Sequence, residues 1–147
     1  MTDLKKFITI SQKSFKLKLW KQDEGGNQLK VIAEYDVAVG TNDHPTPKGY
    51  FVMTAKAKNP AWYPPDSDWV GPELRDENGV PIPIKGGVKE NPIRGAFLAL
   101  GDGIGIHGTF NVDSIGTKAS HGCIRVTEEQ ALELYRRVPE GTIVRIY

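Results

Sequence analysis

Between Leu29 and Val39 an apolar residue recurs at every second position: Leu29, Val31, Ala33, Tyr35, Val37 and Val39. An extended chain turning one face to a core puts such a set on one side. The upstream segment "FKLKLWK" follows the same rule, with Phe15, Leu17 and Leu19 opposed to Lys16 and Lys18. The cluster "DEGGN" between them carries turn residues, so the pair predicts a β-hairpin. Other segments extend the β pattern: "FITI" before the hairpin, "YFVMTAK" after a Pro/Gly-rich break, then "GAFLAL", "IGIHG" and the closing "TIVRIY". One helix is signalled. Thr127 and Gln130 form a capping-box pattern, Glu128 and Glu129 suit the positive end of the helix dipole, and Ala131, Leu134, Tyr135 and Val138 fall on one stripe. Arg136 and Arg137 close it, before Pro139 and Gly141. The expected class is mainly β with one helix in the C-terminal half.

A length of 147 residues suits one domain, residues 1–147, with no repeat or second unit. From Asn59 to Pro92 regular structure is hard to place, because seven of the ten prolines lie there and each removes a backbone donor. A loop this long in a compact domain tends to be functional. Trp62, Tyr63 and Trp69 within it favour a lid that packs or faces a ligand. The charge is balanced, 19 basic against 18 acidic residues, which argues against a dedicated nucleic-acid binder. Lys5, Lys6, Lys13, Lys16, Lys18 and Lys21 crowd the start and read as a solvated face, with weak attraction to an anionic polymer as the functional alternative. No apolar run is long enough to span a bilayer, and "MTDLKKFITI" has no signal-peptide pattern. Either the protein is cytoplasmic or an export segment lies outside this chain.

The reactive side chains gather in "HGTFNVDSIGTKASHGC", from His107 to Cys123, which holds two of the three histidines and the only cysteine. Two chemistries compete. As a nucleophile, a thiol with an ordinary pKa of about 8.5 needs tuning by an imidazole, backbone donors or a helix N-terminus. His121 is near in sequence, His107 is a candidate general base, and the predicted helix begins soon after Cys123. Gly122 permits a sharp turn that brings N–H groups towards an incoming carbonyl, as an oxyanion hole requires. Alternatively His107, His121 and Cys123 ligate zinc with water in the fourth place, although paired spacings such as C-x-x-C or H-E-x-x-H are absent. Asp113 reads as a turn residue, and His44 in "NDHPTP" as an exposed one without a catalytic role.

The "HG" at 107–108 followed by "SHGCIR" at 120–125 resembles the signature of the L,D-transpeptidase catalytic domain, the YkuD-type family. "VAVGTNDHPTPKGYFVM", "AWYPP", "GIGIHGT" and "VPEGTIVRIY" sit in the family's order, so the resemblance covers nearly the whole chain. It implies a β-sandwich with a flap over the site. It also implies a peptidoglycan-remodelling cysteine enzyme that needs no cofactor or metal and acts in the cell wall or periplasm. Cys123 matches the nucleophile and His107 the base. Gly108 matches the residue whose carbonyl orients the imidazole, and His121 and Gly122 the stretch shaping the oxyanion hole. Ser120 and Arg125 match polar positions on the substrate side, Arg125 standing where many members carry Asn, and Trp62 and Tyr63 are the lid's candidate substrate contacts. The implied reaction cross-links third-position diamino acids of peptide stems through a thioester, and the implied inhibitors are carbapenems. The alternatives are an L,D-carboxypeptidase on the same stems and a non-catalytic wall-binding module.

Overall fold

The computed structural model describes residues 5–147 as two β-sheets, a short third strand pair and one helix. Chain order gives β1 (Lys6–Ser11), β2 (Lys16–Gln22), β3 (Leu29–Asp36), β4 (Val39–Gly40), β5 (Gly49–Val52) and β6 (Ala55–Lys58). Then follow β7 (Arg94–Gly101), β8 (Ile104–Thr109), β9 (Lys118–Ser120), β10 (Ile124–Thr127), α1 (Glu128–Arg137) and β11 (Ile143–Ile146). The five-stranded sheet runs β3-β2-β1-β11-β5 and the four-stranded sheet β10-β8-β7-β6, while β4 pairs with β9. Ile8, Ile10, Leu17, Leu19, Val144 and Ile146 of the first sheet meet Leu98, Ile106, Ile124 and Val126 of the second, together with Ala131, Leu134 and Val138 on and just past α1. Each of these side chains is sealed from water, which at about 25 cal/mol per Å² of apolar surface makes this interface the main adhesive of the fold.

The hairpin forms as β2 and β3, but its alternation breaks. The register shifts opposite Leu19 and Trp20, leaving Ile32 as an extra residue in β3. Beyond that bulge Tyr35 and Val37 point inwards; before it Leu29 and Val31 are turned outwards and stay exposed. The single strand expected over "YFVMTAK" is two. The Met53 N–H donates to Thr142 O beside the first sheet and the Thr54 N–H to Ala99 O beside the second, so the backbone changes sheets there. Among the crowded lysines, Lys16 pairs with Asp36 and Lys18 with Glu34, which fits a solvated face.

The helix has the expected cap. Thr127 Oγ1 accepts from the Gln130 N–H at 3.1 Å, and Gln130 Oε1 accepts from the Thr127 N–H at 3.2 Å. It starts at Glu128, where that cap places it, and Ile124–Thr127 ahead of it runs as β10, parallel to β8. The segment from Asn59 onwards holds no named strand, but internal bonds organise it. Arg75 reaches Val70 O, Asp66, Gly79 O and Ser67 O, and buried Asn91 ties Pro60 O to Lys85 O. Among the described residues no helix is long and apolar enough to cross a membrane.

Candidate active site

The pairing of β8 with β10 assembles the site. Ile124 stands beside Ile106 and Arg125 beside His107, which sets Cys123 next to Gly105. Because side chains alternate along a strand, Ile106 and Ile124 enter the core while His107, Arg125 and Cys123 share the opposite face. Gly105 lets the Phe97 ring lie close against this face: a Cβ there would sit 2.3 Å from it. Phe97 in turn lies against the imidazole of His107, centroids 6.0 Å apart and planes 17° from parallel.

His107 is 7% exposed, and its Nδ1 lies 2.7 Å from the Gly108 carbonyl oxygen. A carbonyl can only accept, so Nδ1 carries the hydrogen and Nε2 keeps a free lone pair. Burial brings the His107 pKa down to about 4; the Gly108 carbonyl opposes this and the Arg125 cation adds to it. The imidazole is therefore neutral at physiological pH. Burial pushes the Cys123 thiol up, against the Gly105 backbone and the Arg125 charge, which favour thiolate. The tuning by a helix N-terminus is not available, since β10 separates Cys123 from α1. The resting pair is a thiol and a neutral imidazole, and the thiol lies 3.7 Å from Gly103 O.

Two hydroxyls grip the turn before the thiol. Ser120 Oγ donates to Cys123 O at 2.5 Å and accepts from the Gly122 N–H at 3.1 Å. Buried Thr46 donates to Gly122 O at 2.7 Å and accepts from the Gly40 N–H at 2.8 Å. Gly122 has φ +126°, a region costly for other residues, and a Cβ would press on Ile104 at 3.0 Å. Since the Gly122 N–H is committed to Ser120, Gly122 fixes the turn's shape instead of offering a donor. That leaves the N–H groups of His121 and Cys123 as the candidates for a developing oxyanion.

The long loop reaches this turn through Trp69. Its indole stacks on His121, centroids 3.8 Å apart and planes 11° from parallel, and His44 closes the edge of the imidazole at 4.9 Å. Trp62, by contrast, pairs its backbone with Ile84 inside the loop, and Tyr63 is 71% exposed. His44 is exposed, as expected from its turn, yet it belongs to this aromatic cluster. Asp113 sits in a single 3-10 turn, Val112–Ser114. His107, His121 and Cys123 do not converge as metal ligands; among the described residues no group of three His, Cys, Asp or Glu side chains is placed to hold a metal ion. Thr46 carried no sequence signal beyond being a threonine between two prolines.

Comparison with known proteins follows the same line. The chain matches the family model described as L,D-transpeptidase catalytic domain over residues 5–146. YqjB of Bacillus subtilis, whose name assigns it to the L,D-transpeptidases, is 35% identical over 132 residues, covering 82% of this chain and 65% of that protein. The chain thus spans just under two thirds of that relative's length. An L,D-transpeptidase from Mycobacterium smegmatis superposes with a TM-score of 0.73 at 18% identity, over 99% of this chain and 60% of the other. The catalytic domain of the E. faecium L,D-transpeptidase, acylated by ertapenem, gives 0.65 at 22% identity with both chains fully covered. At these identities the solved structures establish the fold.

Proposed function

The chain belongs to the L,D-transpeptidase catalytic-domain family, and from that premise we propose that Cys123 and His107 carry out acyl transfer on peptidoglycan peptide stems. The observation that carries this reading is the oriented base: a buried imidazole, its Nδ1–H held by Gly108 O and its Nε2 free, on the same sheet face as Cys123. Cys123 Sγ attacks the carbonyl of an L-centre diamino acid joined to a terminal D-residue. Its proton passes to His107 Nε2 as the S–C bond forms. The tetrahedral oxyanion is held by the backbone N–H groups of His121 and Cys123. The C–N bond then breaks, the proton moves from Nε2 to the departing amine, and a thioester remains on Cys123. A side-chain amine of a second stem attacks it, gives its proton to His107 and yields a cross-link between third-position residues, while the thiolate leaves and is reprotonated.

Water in place of the amine would make the same site an L,D-carboxypeptidase. The residues 59–92 form the lid in this reading, with residues 1–147 acting as one catalytic unit. Trp69 on His121 supports that role for the lid, more directly than Trp62 or Tyr63 does. Carbapenems are the proposed inhibitors, supported by the ertapenem-acylated E. faecium domain, and the site of action is the cell wall or periplasm. The test is incubation with a defined disaccharide-tetrapeptide followed by mass spectrometry. Cross-linked dimer is expected. Tripeptide alone selects the carboxypeptidase, and unchanged substrate overturns the enzyme reading in favour of a wall-binding module.

A further inference from the structure

We propose that Arg125 selects the donor stem by pairing its guanidinium with the free α-carboxylate of the terminal D-residue, directly behind the scissile bond. The assignment rests on the acyl-transfer reading above. It starts from a cation without a counter-charge. Arg125 is half-buried, and its one side-chain hydrogen bond is a long one, 3.5 Å from Nη1 to Ser114 Oγ. Among the described residues no carboxylate lies within ion-pair distance of it. Its backbone N–H and carbonyl both bond to Ala38, at 3.0 and 2.9 Å, and β8 lies on its other side. A partly desolvated guanidinium on a fixed backbone, with donors to spare and no counter-charge, is well shaped for bidentate capture of a carboxylate.

Placement gives the carboxylate its address. Arg125 is two residues past Cys123 on the same face, about 6.6 Å along the strand, and level with His107 across the β8–β10 pair. A stem acylating Cys123 at its third residue carries the carboxylate of its fourth beside this position. One further residue on the stem would carry that charge ~3.5 Å onwards. The pairing also bears on the base. Arg125 disfavours the imidazolium of His107, as it does that of His121. A carboxylate bound to Arg125 cancels that repulsion, so His107 accepts the thiol proton most readily when the correct donor is in place.

The experiment compares a disaccharide-tetrapeptide bearing a free C-terminal carboxylate with the same compound as its C-terminal carboxamide. The readout is kcat/KM for release of the terminal residue. Wild-type protein is expected to prefer the acid by about 10–100-fold, the usual worth of a charge-assisted contact. Arg125→Gln should bring the two donors to within about twofold of each other, and Arg125→Lys should restore part of the preference. The lysine variant also serves if the glutamine variant fails to fold: it should then show a reduced acid preference by itself. Equal cleavage of both donors by wild type, or an unchanged preference in either variant, overturns the assignment. Cleavage of neither donor by wild type overturns the acyl-transfer reading itself, a distinct result.

Discussion

Replacing Thr46 with valine removes one hydroxyl and almost no volume. In the native fold that hydroxyl accepts from the Gly40 N–H and donates to the Gly122 carbonyl, and both glycines are buried. Valine leaves two backbone groups without partners where water cannot replace them. At about 1–3 kcal/mol per orphaned buried group, the loss is about 3 kcal/mol. For a chain of this size 1 kcal/mol moves Tm by about 2–4 °C, so Thr46→Val should melt on the order of 10 °C lower by calorimetry. The functional effect is separate. The Gly122 peptide would be held from one side only, by Ser120, and the His121 and Cys123 N–H groups would lose their fixed aim. Single-turnover acylation of Cys123 by a carbapenem, measured below the melting range, should slow by about tenfold or more. Thr46→Ser keeps the hydroxyl and should recover most of both losses. A valine variant melting within about 2 °C of the parent and acylating at the parental rate would refute the idea that this hydroxyl aims the turn.

Cys123→Ala should abolish the carbapenem adduct seen by intact-protein mass spectrometry while leaving the fold intact, and chelators should not affect labelling of the parent; an adduct in the variant would sink the nucleophile assignment. His107→Ala should cut acylation by about 10²–10⁴-fold at neutral pH. The His107 pKa of about 4 lies below its ordinary 6.5, so the unfolded chain binds its proton first as pH falls. Its contribution of about 3 kcal/mol is complete above pH ~6.5, drains away down to pH ~4, and changes no further below. Thermal melts should therefore be less pH-sensitive across that window in His107→Gln than in the parent, and identical slopes would count against a buried neutral imidazole. Trp69→Ala should raise hydrolysis relative to cross-linking, measured as the tripeptide-to-dimer ratio, because the lid loses its hold on His121 and admits water; an unchanged ratio would make the stack merely structural.

What the sequence displays is what depends on near neighbours. The hairpin and α1 follow from local alternation and from a cap whose two partners lie three residues apart. The "HG…SHGC" segment marks the site because its rare side chains lie close along the chain. The features that escape such reading depend on distant partners. Ile32 is squeezed out of register by what stands opposite it on β2. Met53 and Thr54 part company because Thr142 adjoins the first sheet while Ala99 lies in the second. Ile124–Thr127, with three β-branched residues of four, favours a strand, but its partner β8 is not named by anything within the segment. At the site itself, Trp69 is legible as a lid aromatic but not as the partner of His121, and Thr46 arrives from a remote loop with a hydroxyl that carries no motif.

The position of β11 has a consequence for how the molecule comes into being. This strand lies between β1 and β5, parallel to one and antiparallel to the other, with Phe7 beside Ile143 across nearly the whole sequence. While Ile143–Ile146 are still inside the ribosome, the larger sheet lacks the strand that joins β1 to β5, so the early strands keep an uncovered apolar face and an unpaired edge. Such distant pairing makes for slow assembly and a window in which holdase chaperones have something to grasp. Stalled nascent chains lacking Ile143–Ile146 should accordingly be protease-sensitive throughout; protection of β1 and β2 on the ribosome would show that the sheet can begin without the strand that joins β1 to β5.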